Sequence, residues 1–291
     1  MQIGVSSYSF SQTNLDMISV IDETKEMGFD TIEFFAGFPT PKSGQSYGEF
    51  AKQARELCES RDLPISGYTV GADFLNVRNG DWQTEAERLK QEVEVARILG
   101  VPAMRHDVTR GFPREQARPR GFSDAVPILS KACRAVTEYA AERGIKTMIE
   151  NHGFFAQDST RVEQLVNAVN HENFGVLLDI GNFLCVDEDP STAVGRLLPY
   201  VFHVHAKDFH TKPGTALNPG PGWFSTRGGN LLRGAIIGHG DVPLLQCLRL
   251  LQGYGYDGTV SIEFEGIEEP LQALQFGAAN LRKLIKAAAA W

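Results

Sequence analysis

Short apolar runs alternate along the whole chain with longer stretches in which apolar residues recur every three to four positions. The short runs have the length of buried strands, and the longer stretches have the period of helices that bury one face. Strands are predicted at 3–8, 31–35, 64–70, 101–108, 145–150, 174–180, 200–207 and 258–264. Helices are predicted at 15–27, 47–61, 84–99, 124–143, 160–169, 192–198, 242–252 and 269–289.

This strict alternation favours a parallel sheet, and eight strand–helix pairs favour its closure into an α/β (β/α)8 TIM barrel. An open doubly wound sheet is the alternative. That fold usually has a glycine-rich phosphate loop after its first strand, where this chain has the residues SSYSF at 6–10. No change in composition and no repeat marks a boundary, so a single barrel domain over 1–291 is expected.

One long connection interrupts the regular pattern after the seventh strand. Glycine and proline are frequent between Asp208 and Asp241, at 212–214, 218–222 and 227–229. Long loops without secondary structure are often functional, and the active sites of barrels lie at the C-terminal ends of the strands. A Gly/Pro-rich loop that covers an active site is therefore expected here.

The seventh strand carries polar residues at every second position. Side chains alternate across a strand, so His203, His205 and Lys207 share one face with Val201. The opposite face takes the residues between them, Phe202, Val204 and Ala206. Burying two histidines and a lysine on one face is costly unless they have partners, which indicates a functional face.

Three other predicted strands end in an acid on the inward parity, at Glu150, Asp179 and Glu263. In a barrel, these residues and His205 come from four successive strands and point into one mouth. Such an oxygen-rich set suits Mn²⁺, Mg²⁺ or Co²⁺, with Zn²⁺ as an alternative. Parity alone does not separate Glu263 from Glu265. The other interpretation is a purely structural cluster, in which His205 and Lys207 balance the acids without a metal.

Bulk composition excludes several classes of protein. The chain has 291 residues, 42% of them hydrophobic, and a formal net charge of −8, which argues against a nucleic-acid binder. No apolar run reaches transmembrane length, and the N-terminus lacks a signal-peptide layout. The four cysteines are far apart and form no C-x-x-C pair, so a reducing, cytoplasmic location without membrane association is expected.

Four motifs carry a family resemblance: IENHG at 149–153, LDIGN at 178–182, HVHAKD at 203–208 and GTVSIE at 258–263. They resemble the sugar phosphate isomerase/epimerase family of xylose-isomerase-like TIM barrels, over essentially the whole chain. The resemblance implies that Glu150, Asp179, His205 and Glu263 match the metal ligands of the ketose 3-epimerase branch. It also implies one divalent ion, with Mn²⁺ preferred over Co²⁺, Mg²⁺ or Zn²⁺, and Glu150 and Glu263 as the acid/base pair.

The chain departs from that branch at two positions. Ketose 3-epimerases have a histidine three residues after the aspartate ligand and an arginine six residues after the histidine ligand. This chain has Asn182 and Thr211 there, and Lys207, Arg227 and Arg233 are the candidates to replace the arginine. The free ketohexose of those enzymes is therefore not the expected substrate.

Further residues at the predicted mouth are candidates for substrate contact. Arg105 and His106 end the fourth strand, and Arg105 is preferred as the one that faces inward. His239 lies between two glycines, where a turn and a binding site are equally good interpretations, and Glu33 is a candidate for orienting pocket groups. The full predicted substrate-binding set is His152, Asn182, His203, Lys207, Arg105, Glu265, Arg227 and His239.

The resemblance implies a metal-dependent isomerase or epimerase that acts on a keto-sugar or related polyol ketone through an enediolate. An inosose-dehydratase-like lyase on the same scaffold shares the first step and is the main alternative. An endonuclease-IV-like nuclease and a non-catalytic sugar-binding barrel are further alternatives, but the acid pair and the net charge argue against them. The expected partners are a small carbohydrate and further copies of the chain, in a homodimer or homotetramer.

Overall fold

The computed structural model has the alternating strands and helices that the sequence predicts. It describes residues 1–290 except 114, 116 and 117, and of 78 and 79 only the backbone. The strands are β1 (Gln2–Ser6), β2 (Thr31–Phe35), β3 (Ile65–Val70), β4 (Ala103–His106), β5 (Lys146–Glu150), β6 (Phe174–Asp179), β7 (Val201–Ala206), β8 (Asp208–Lys212), β9 (Phe224–Ser225), β10 (Leu231–Ala235) and β11 (Thr259–Ile262). The helices are α1 (Met17–Glu26), α2 (Tyr47–Ser60), α3 (Trp82–Leu99), α4 (Phe122–Ala141), α5 (Ser159–Val169), α6 (Pro190–Leu197), α7 (Leu244–Tyr254) and α8 (Pro270–Ala289).

Eight of these strands close into a parallel barrel in the order β1-β11-β7-β6-β5-β4-β3-β2. Closure is completed by β1, which pairs in parallel with both β2 and β11. The helices lie between successive strands and bury their apolar faces against the outside of the barrel in one large core. The chain is therefore the TIM barrel that the alternation predicts.

Side-chain caps fix where several helices begin. Asp16 accepts a hydrogen bond from the Ser19 N–H, so α1 starts slightly later than its apolar pattern predicts. Asp158 caps α5 in the same way, through the Arg161 N–H. Helix α3 ends at Gly100, whose φ of 77° places it in the left-handed region that favours glycine. Among the described helices, none is both long enough and apolar enough to cross a bilayer.

The connection after β7 is long, as predicted, but the expected absence of secondary structure is wrong. Strand β8 pairs antiparallel with β10, from Asp208 opposite Ala235 to Lys212 opposite Leu231. The short β9 adds a third strand on the other side of β10. The pairing forms because Phe209 and Leu232 are buried, which gives this small sheet an apolar face. The glycine- and proline-rich residues form the turns of the sheet.

Strand β7 departs from simple alternation at its start. The register between β6 and β7 shifts, so that Val176 lies opposite Val201 and Leu177 lies opposite His203. Phe202 therefore packs inside the barrel against Met148 and Leu177, whereas Val201 packs with the outer core. The predicted faces of Val201 and Phe202 are wrong because an irregularity of one residue reverses the face on which side chains lie. From His203 onwards the prediction is confirmed.

Candidate metal centre and active site

Four polar side chains converge at the C-terminal mouth of the barrel. Glu150 ends β5, Asp179 ends β6, His205 lies near the end of β7, and Glu263 directly follows β11. Each offers one ligand atom, and these atoms all lie within 4.8 Å of one another. The four strands are consecutive around the barrel, which is why their inward-facing ends meet. The cluster contains Glu263, and the structure thus separates it from Glu265.

The backbone and carboxylate of Asp179 are fixed by two asparagines. The Asn151 side chain donates to the Asp179 carbonyl and accepts from the Asp179 N–H, both at 2.9 Å. The Asn182 N–H donates to Asp179 Oδ1, also at 2.9 Å. Asp179 is fully buried, and its Oδ2 accepts no hydrogen bond from any residue that the structure describes. This oxygen is therefore held in the cluster without a hydrogen-bond donor of its own.

His205 is oriented by a carboxylate from the far side of the barrel. Its Nε2 lies 2.8 Å from Glu33 Oε1, and the other Glu33 oxygen lies 2.9 Å from Nε2 of His203. His205 Nδ1 is buried and makes no hydrogen bond to the described residues, since Glu263 Oε1 at 3.7 Å and Asp179 Oδ2 at 4.0 Å are too far. A carboxylate that holds one imidazole nitrogen and leaves the other free is the arrangement around histidine ligands of metals.

Lys207 brings a positive charge into the same cluster. Its buried ammonium lies 2.5 Å from Glu263 Oε2, 3.3 Å from Asp179 Oδ2 and 3.2 Å from Glu265 Oε2. Glu265 is about one third exposed, so it lies on the solvent side of this ammonium. Lys207 thereby links the predicted ligands to a residue at the rim of the mouth.

The pKa values of the cluster reflect crowded and buried charge. Burial raises the pKa of the Asp179 carboxyl to about 6, although the Lys207 ammonium opposes the shift. Burial would also raise the pKa of Glu263, but Lys207 and His205 hold it well below its usual range. Burial would lower the pKa of His205, and the carboxylates of Glu33 and Glu263 instead hold it well above its usual range. The buried carboxylates of Asp179 and Glu263 therefore depend on nearby positive charge to stay ionised.

Glu150 is the first member of a chain of contacts that leads to the protein surface. Its Oε2 lies 2.6 Å from the buried Arg105 guanidinium, and its Oε1 accepts from the Asn182 amide at 2.9 Å. Arg105 also pairs with Asp107 at 2.7 Å, and Asp107 Oδ1 lies 2.9 Å from Nδ1 of His152. The His152 side chain is half exposed and lines a cavity of about 530 Å³. Arg105, rather than His106, is thus the residue that faces into the barrel.

The remaining predicted contacts lie elsewhere. His203 is one pleat below His205, away from the mouth, and its Nε2 is 3.0 Å from Ser261 Oγ. Arg227 pairs with Asp158 at 3.0 Å, and so ties the connection after β7 to the start of α5. His239 is exposed in the turn whose N–H groups at Gly238 and Gly240 donate to Asp208.

Thr211, which replaces the arginine of the ketose 3-epimerase pattern, has a local structural role. Both the N–H and the hydroxyl of Thr211 donate to Asp241 Oδ2, at 2.7 and 3.0 Å. Thr211 therefore holds the small sheet in place and does not reach into the cluster of acids. Of the cations proposed to replace the arginine, Lys207 is the one in contact with that cluster.

Sequence reasoning missed several groups around the site. Tyr8 follows β1 and lies near Glu265 and Glu263. Burial, together with the charges of these two acids, raises the pKa of the Tyr8 phenol to about 12. Asn151 and Asp107 were also missed as supporting groups. Asn151 directly follows a predicted ligand, and a polar residue at a buried strand end was the signal that could have identified it.

The donor set fits a divalent cation. Asp179 Oδ2 and His205 Nδ1 are buried, lie 4.0 Å apart and make no hydrogen bond to the described residues. The oxygen has a free lone pair, and the nitrogen gains one when it gives up its proton, as metal binding requires. Three carboxylates and one imidazole favour Mn²⁺, Co²⁺, Mg²⁺ or Zn²⁺. A second group of possible ligands, Glu33, His203 and His205, lies beneath the first, with the Glu33 carboxylate 2.9 Å from His203 Nε2 and 2.8 Å from His205 Nε2.

Comparison with known proteins gives a match to one family model. Residues 21–286 match the model described as xylose isomerase-like TIM barrel. Inosose dehydratase from Bacillus anthracis is 23% identical over 180 residues, which cover 60% of each chain.

Two solved structures have the same fold. The crystal structure of the IOLI protein with a bound zinc atom superposes with a TM-score of 0.75 at 18% identity, over 98% of both chains. D-psicose 3-epimerase from Clostridium cellulolyticum H10, solved with D-tagatose, also gives a TM-score of 0.75, at 14% identity over 98% of this chain and 99% of that one.

Proposed function

This chain belongs to the xylose isomerase-like TIM barrel family, and from that premise we propose that it is a divalent-metal-dependent isomerase or epimerase. Its substrate is a keto-sugar or a related polyol ketone. One observation carries the proposal: two buried atoms without a hydrogen bond, Asp179 Oδ2 and His205 Nδ1, lie in one cluster with the carboxylates of Glu150 and Glu263. A metal bound by these residues would lie between two groups that are able to transfer protons.

The chemistry begins with a weakly acidic C–H bond next to a carbonyl group. A bound divalent cation supplies Lewis-acid stabilisation of the enediolate that forms when this proton leaves. Glu150 and Glu263 come from β5 and from the end of β11, which lie on different sides of the site. One carboxylate removes the proton and the other returns a proton to the opposite face, a role for which positioned groups contribute about 10² to 10⁴-fold in rate.

Neighbouring residues hold the two glutamates ready for these roles. The Arg105 guanidinium and the Asn182 amide each contact one oxygen of Glu150. Lys207 contacts Glu263. Three polar groups lie at the rim, namely the Lys207 ammonium, the Glu265 carboxylate and the Tyr8 phenol. Such a rim suits the hydroxyl groups of a polyol. The name of the similar structure D-psicose 3-epimerase supports a keto-sugar as the class of substrate.

A dehydratase is the second candidate, and Lys207 is the observation that favours it. After a base removes the proton next to the carbonyl, loss of a β-hydroxyl as water requires a proton on the leaving oxygen. The Lys207 ammonium, 2.5 Å from Glu263, is a proton donor that lies beside the acid/base pair. The relative named inosose dehydratase supports this alternative.

Exchange of substrate protons with solvent tests both candidates. The protein, supplied with Mn²⁺ in D₂O, is incubated with keto-glycosides, an inosose and other polyol ketones, together with the free ketohexoses D-psicose and D-tagatose, which Asn182 and Thr211 disfavour as substrates, and the products are followed by NMR. Deuterium at the carbon next to the carbonyl with an inverted centre identifies an epimerase, and an unsaturated product with release of water identifies a dehydratase. Glu150→Gln and Glu263→Gln are expected to abolish exchange, whereas Glu138→Gln on the outer surface of α4 is the matched control. Metal binding without exchange in any substrate would contradict the proposal.

A further inference from the structure

The ammonium of Lys207 lies among the same carboxylates that are proposed to bind the metal. Its Nζ is 2.5 Å from Glu263 Oε2 and 3.3 Å from Asp179 Oδ2, and its side chain is 3% exposed. Asp179 Oδ2 is also one of the two buried atoms without a hydrogen bond that point to the metal centre. The lysine and the proposed metal therefore share Asp179 Oδ2 and the Glu263 carboxylate, whose Oε2 faces Lys207 and whose Oε1 faces His205 Nδ1.

These two cations exclude each other from that position. Carboxylate oxygens bind divalent ions at about 2.0 to 2.6 Å. An ion at such a distance from Asp179 Oδ2 would lie close to an ammonium that is itself 3.3 Å from that oxygen and 2.5 Å from the other side of the Glu263 carboxylate. Two positive charges this close repel each other strongly in a buried site. Binding of the metal therefore requires Lys207 to move.

We propose that Lys207 is an exchangeable counter-ion, which balances the ligand carboxylates until a divalent cation displaces it. This inference rests on the metal centre of the proposed function. It assigns to Lys207 two positions, one among the ligands and one at the rim of the mouth. The lysine stem is long and flexible, so the ammonium can move between them without a change in the backbone.

The rim offers acceptors for the displaced ammonium. Glu265 Oε2 lies 3.2 Å and Asn182 Oδ1 lies 3.4 Å from Nζ already, and Glu265 is partly exposed. A small rotation of the stem keeps these two contacts and gives up those to Asp179 and Glu263. In its second position the ammonium faces the mouth, where it donates to an oxygen of the substrate. The same residue thus stabilises the metal-free site and later binds substrate.

The proposed exchange and a purely supporting role of Lys207 predict opposite changes in the affinity for Mn²⁺ when the lysine is removed. Because wild-type protein must lose the contacts of Lys207 to bind metal, Lys207→Met is expected to bind Mn²⁺ at least tenfold more tightly. By linkage, the same variant is less stable without metal and gains a larger increase in Tm from Mn²⁺ than the wild type does. Removing a residue that merely helps to build the site would weaken metal binding.

The test measures Mn²⁺ affinity by isothermal titration calorimetry and the Mn²⁺-dependent rise in Tm, with full-length protein. The variants are Lys207→Met and Glu265→Gln, together with their double mutant. Lys212→Met removes an exposed lysine that packs on Trp223 and is the charge-matched control. Glu265→Gln is expected to weaken Mn²⁺ binding in the wild-type background, because it removes an acceptor of the displaced ammonium, and to have a smaller effect once Lys207 is methionine.

Tighter binding by Lys207→Met, with Lys212→Met equal to wild type, supports the exchange. Equal or weaker binding by Lys207→Met, in a wild type that does bind Mn²⁺, overturns the exchange and leaves the metal centre standing. No binding by wild type or any variant overturns the metal centre itself, and the proposed function with it. If Lys207→Met does not stay folded without metal, the Mn²⁺ concentration that restores its cooperative unfolding transition is compared with the Mn²⁺ affinity of the wild type, and a concentration at or above that of the wild type overturns the exchange.

Discussion

Glu33 Oε1 lies 2.8 Å from His205 Nε2, although Glu33 belongs to β2 and His205 to β7, 172 residues later in the chain. The contact crosses the interior of the barrel, since β1 and β11 separate these strands around its wall. The two histidines hold the pKa of Glu33 well below its usual range, against the effect of its complete burial. The ionised carboxylate thus fixes the imidazole of His205 with Nδ1 towards the proposed metal.

Glu33→Gln is expected to weaken Mn²⁺ binding by about 10- to 100-fold, which is the usual effect of losing the carboxylate behind a histidine ligand. Glutamine keeps the size of the side chain but removes its charge, so the His205 ring becomes a poorer ligand. Calorimetric titration with Mn²⁺ measures the change. Glu49→Gln, in the exposed first turn of α2, is the control. An unchanged affinity would show that Glu33 has no role in metal binding.

Asn151→Ala is expected to destabilise the fold by about 2 to 4 kcal/mol, because it leaves both the N–H and the carbonyl of Asp179 without their partners in a buried site. Urea unfolding followed by circular dichroism measures the free energy of unfolding. Asn167→Ala removes an exposed amide that contacts only Tyr200 among the contacts described, and is expected to stay within about 0.5 kcal/mol of wild type. Equal values for the two variants would contradict the role assigned to Asn151.

Arg105→Met is expected to cost about 3 to 5 kcal/mol of stability, since it leaves the buried Glu150 carboxylate without its guanidinium partner at 2.6 Å. Adding Glu150→Gln to this variant is expected to restore part of the loss, because the unpaired charge is then removed. Arg55→Met breaks a surface pair with Glu59 at 2.8 Å and is expected to cost less than about 1 kcal/mol. If the changes in the free energy of unfolding caused by Arg105→Met and Glu150→Gln were strictly additive in urea unfolding, a direct interaction between these two side chains would be contradicted.

His106 gives the fold a dependence on pH. The side chain is fully buried between Phe74 and Phe174, and burial lowers its pKa to about 4. Between that value and the ordinary pKa of about 6.5, the unfolded chain binds a proton that the folded protein does not. Stability from this group is therefore present above pH 6.5 and is lost as the pH falls towards 4, by about 3 kcal/mol in total.

His106→Phe is expected to remove this part of the pH dependence. Because other groups also titrate in the same range, the quantity to measure is the difference in unfolding free energy between wild type and variant at each pH from 4 to 8. That difference is expected to shift in favour of the variant as the pH falls. A difference that is constant with pH would show that His106 titrates alike in both states.

Local periodicity was sufficient to predict the barrel and the convergence of Glu150, Asp179 and His205 at its mouth, whereas the choice of Glu263 over Glu265 came from the family resemblance. Glu150, Asp179 and His205 lie at strand ends on one parity, and the closed barrel brings any such set together. Phe202 was placed on the wrong face because the register shift between β6 and β7 depends on how the two strands pair, which the pattern of one strand does not reveal.

Contacts across the barrel were beyond the reach of the sequence. Glu33 was a candidate for orienting pocket groups, but its partners His203 and His205 depend on which strands face each other through the interior. The same holds for Lys207, whose parity placed it in the mouth but did not show that Glu263 and Asp179 share it. The sheet formed by β8, β9 and β10 was missed because its strands are short and separated by glycine- and proline-rich turns.

The most direct test of the account is the metal content of purified protein, measured by elemental analysis after incubation with Mn²⁺ and removal of the excess. We expect about one equivalent of a divalent metal in the wild type, and a near-complete loss in His205→Ala because Nδ1 is a proposed ligand atom. Glu150→Gln is expected to keep the fold and lose much of the metal. A wild type that holds no metal would contradict the account, since His205, Lys207 and Arg105 would then balance the acids without a metal. About three zinc ions would point instead to nuclease chemistry.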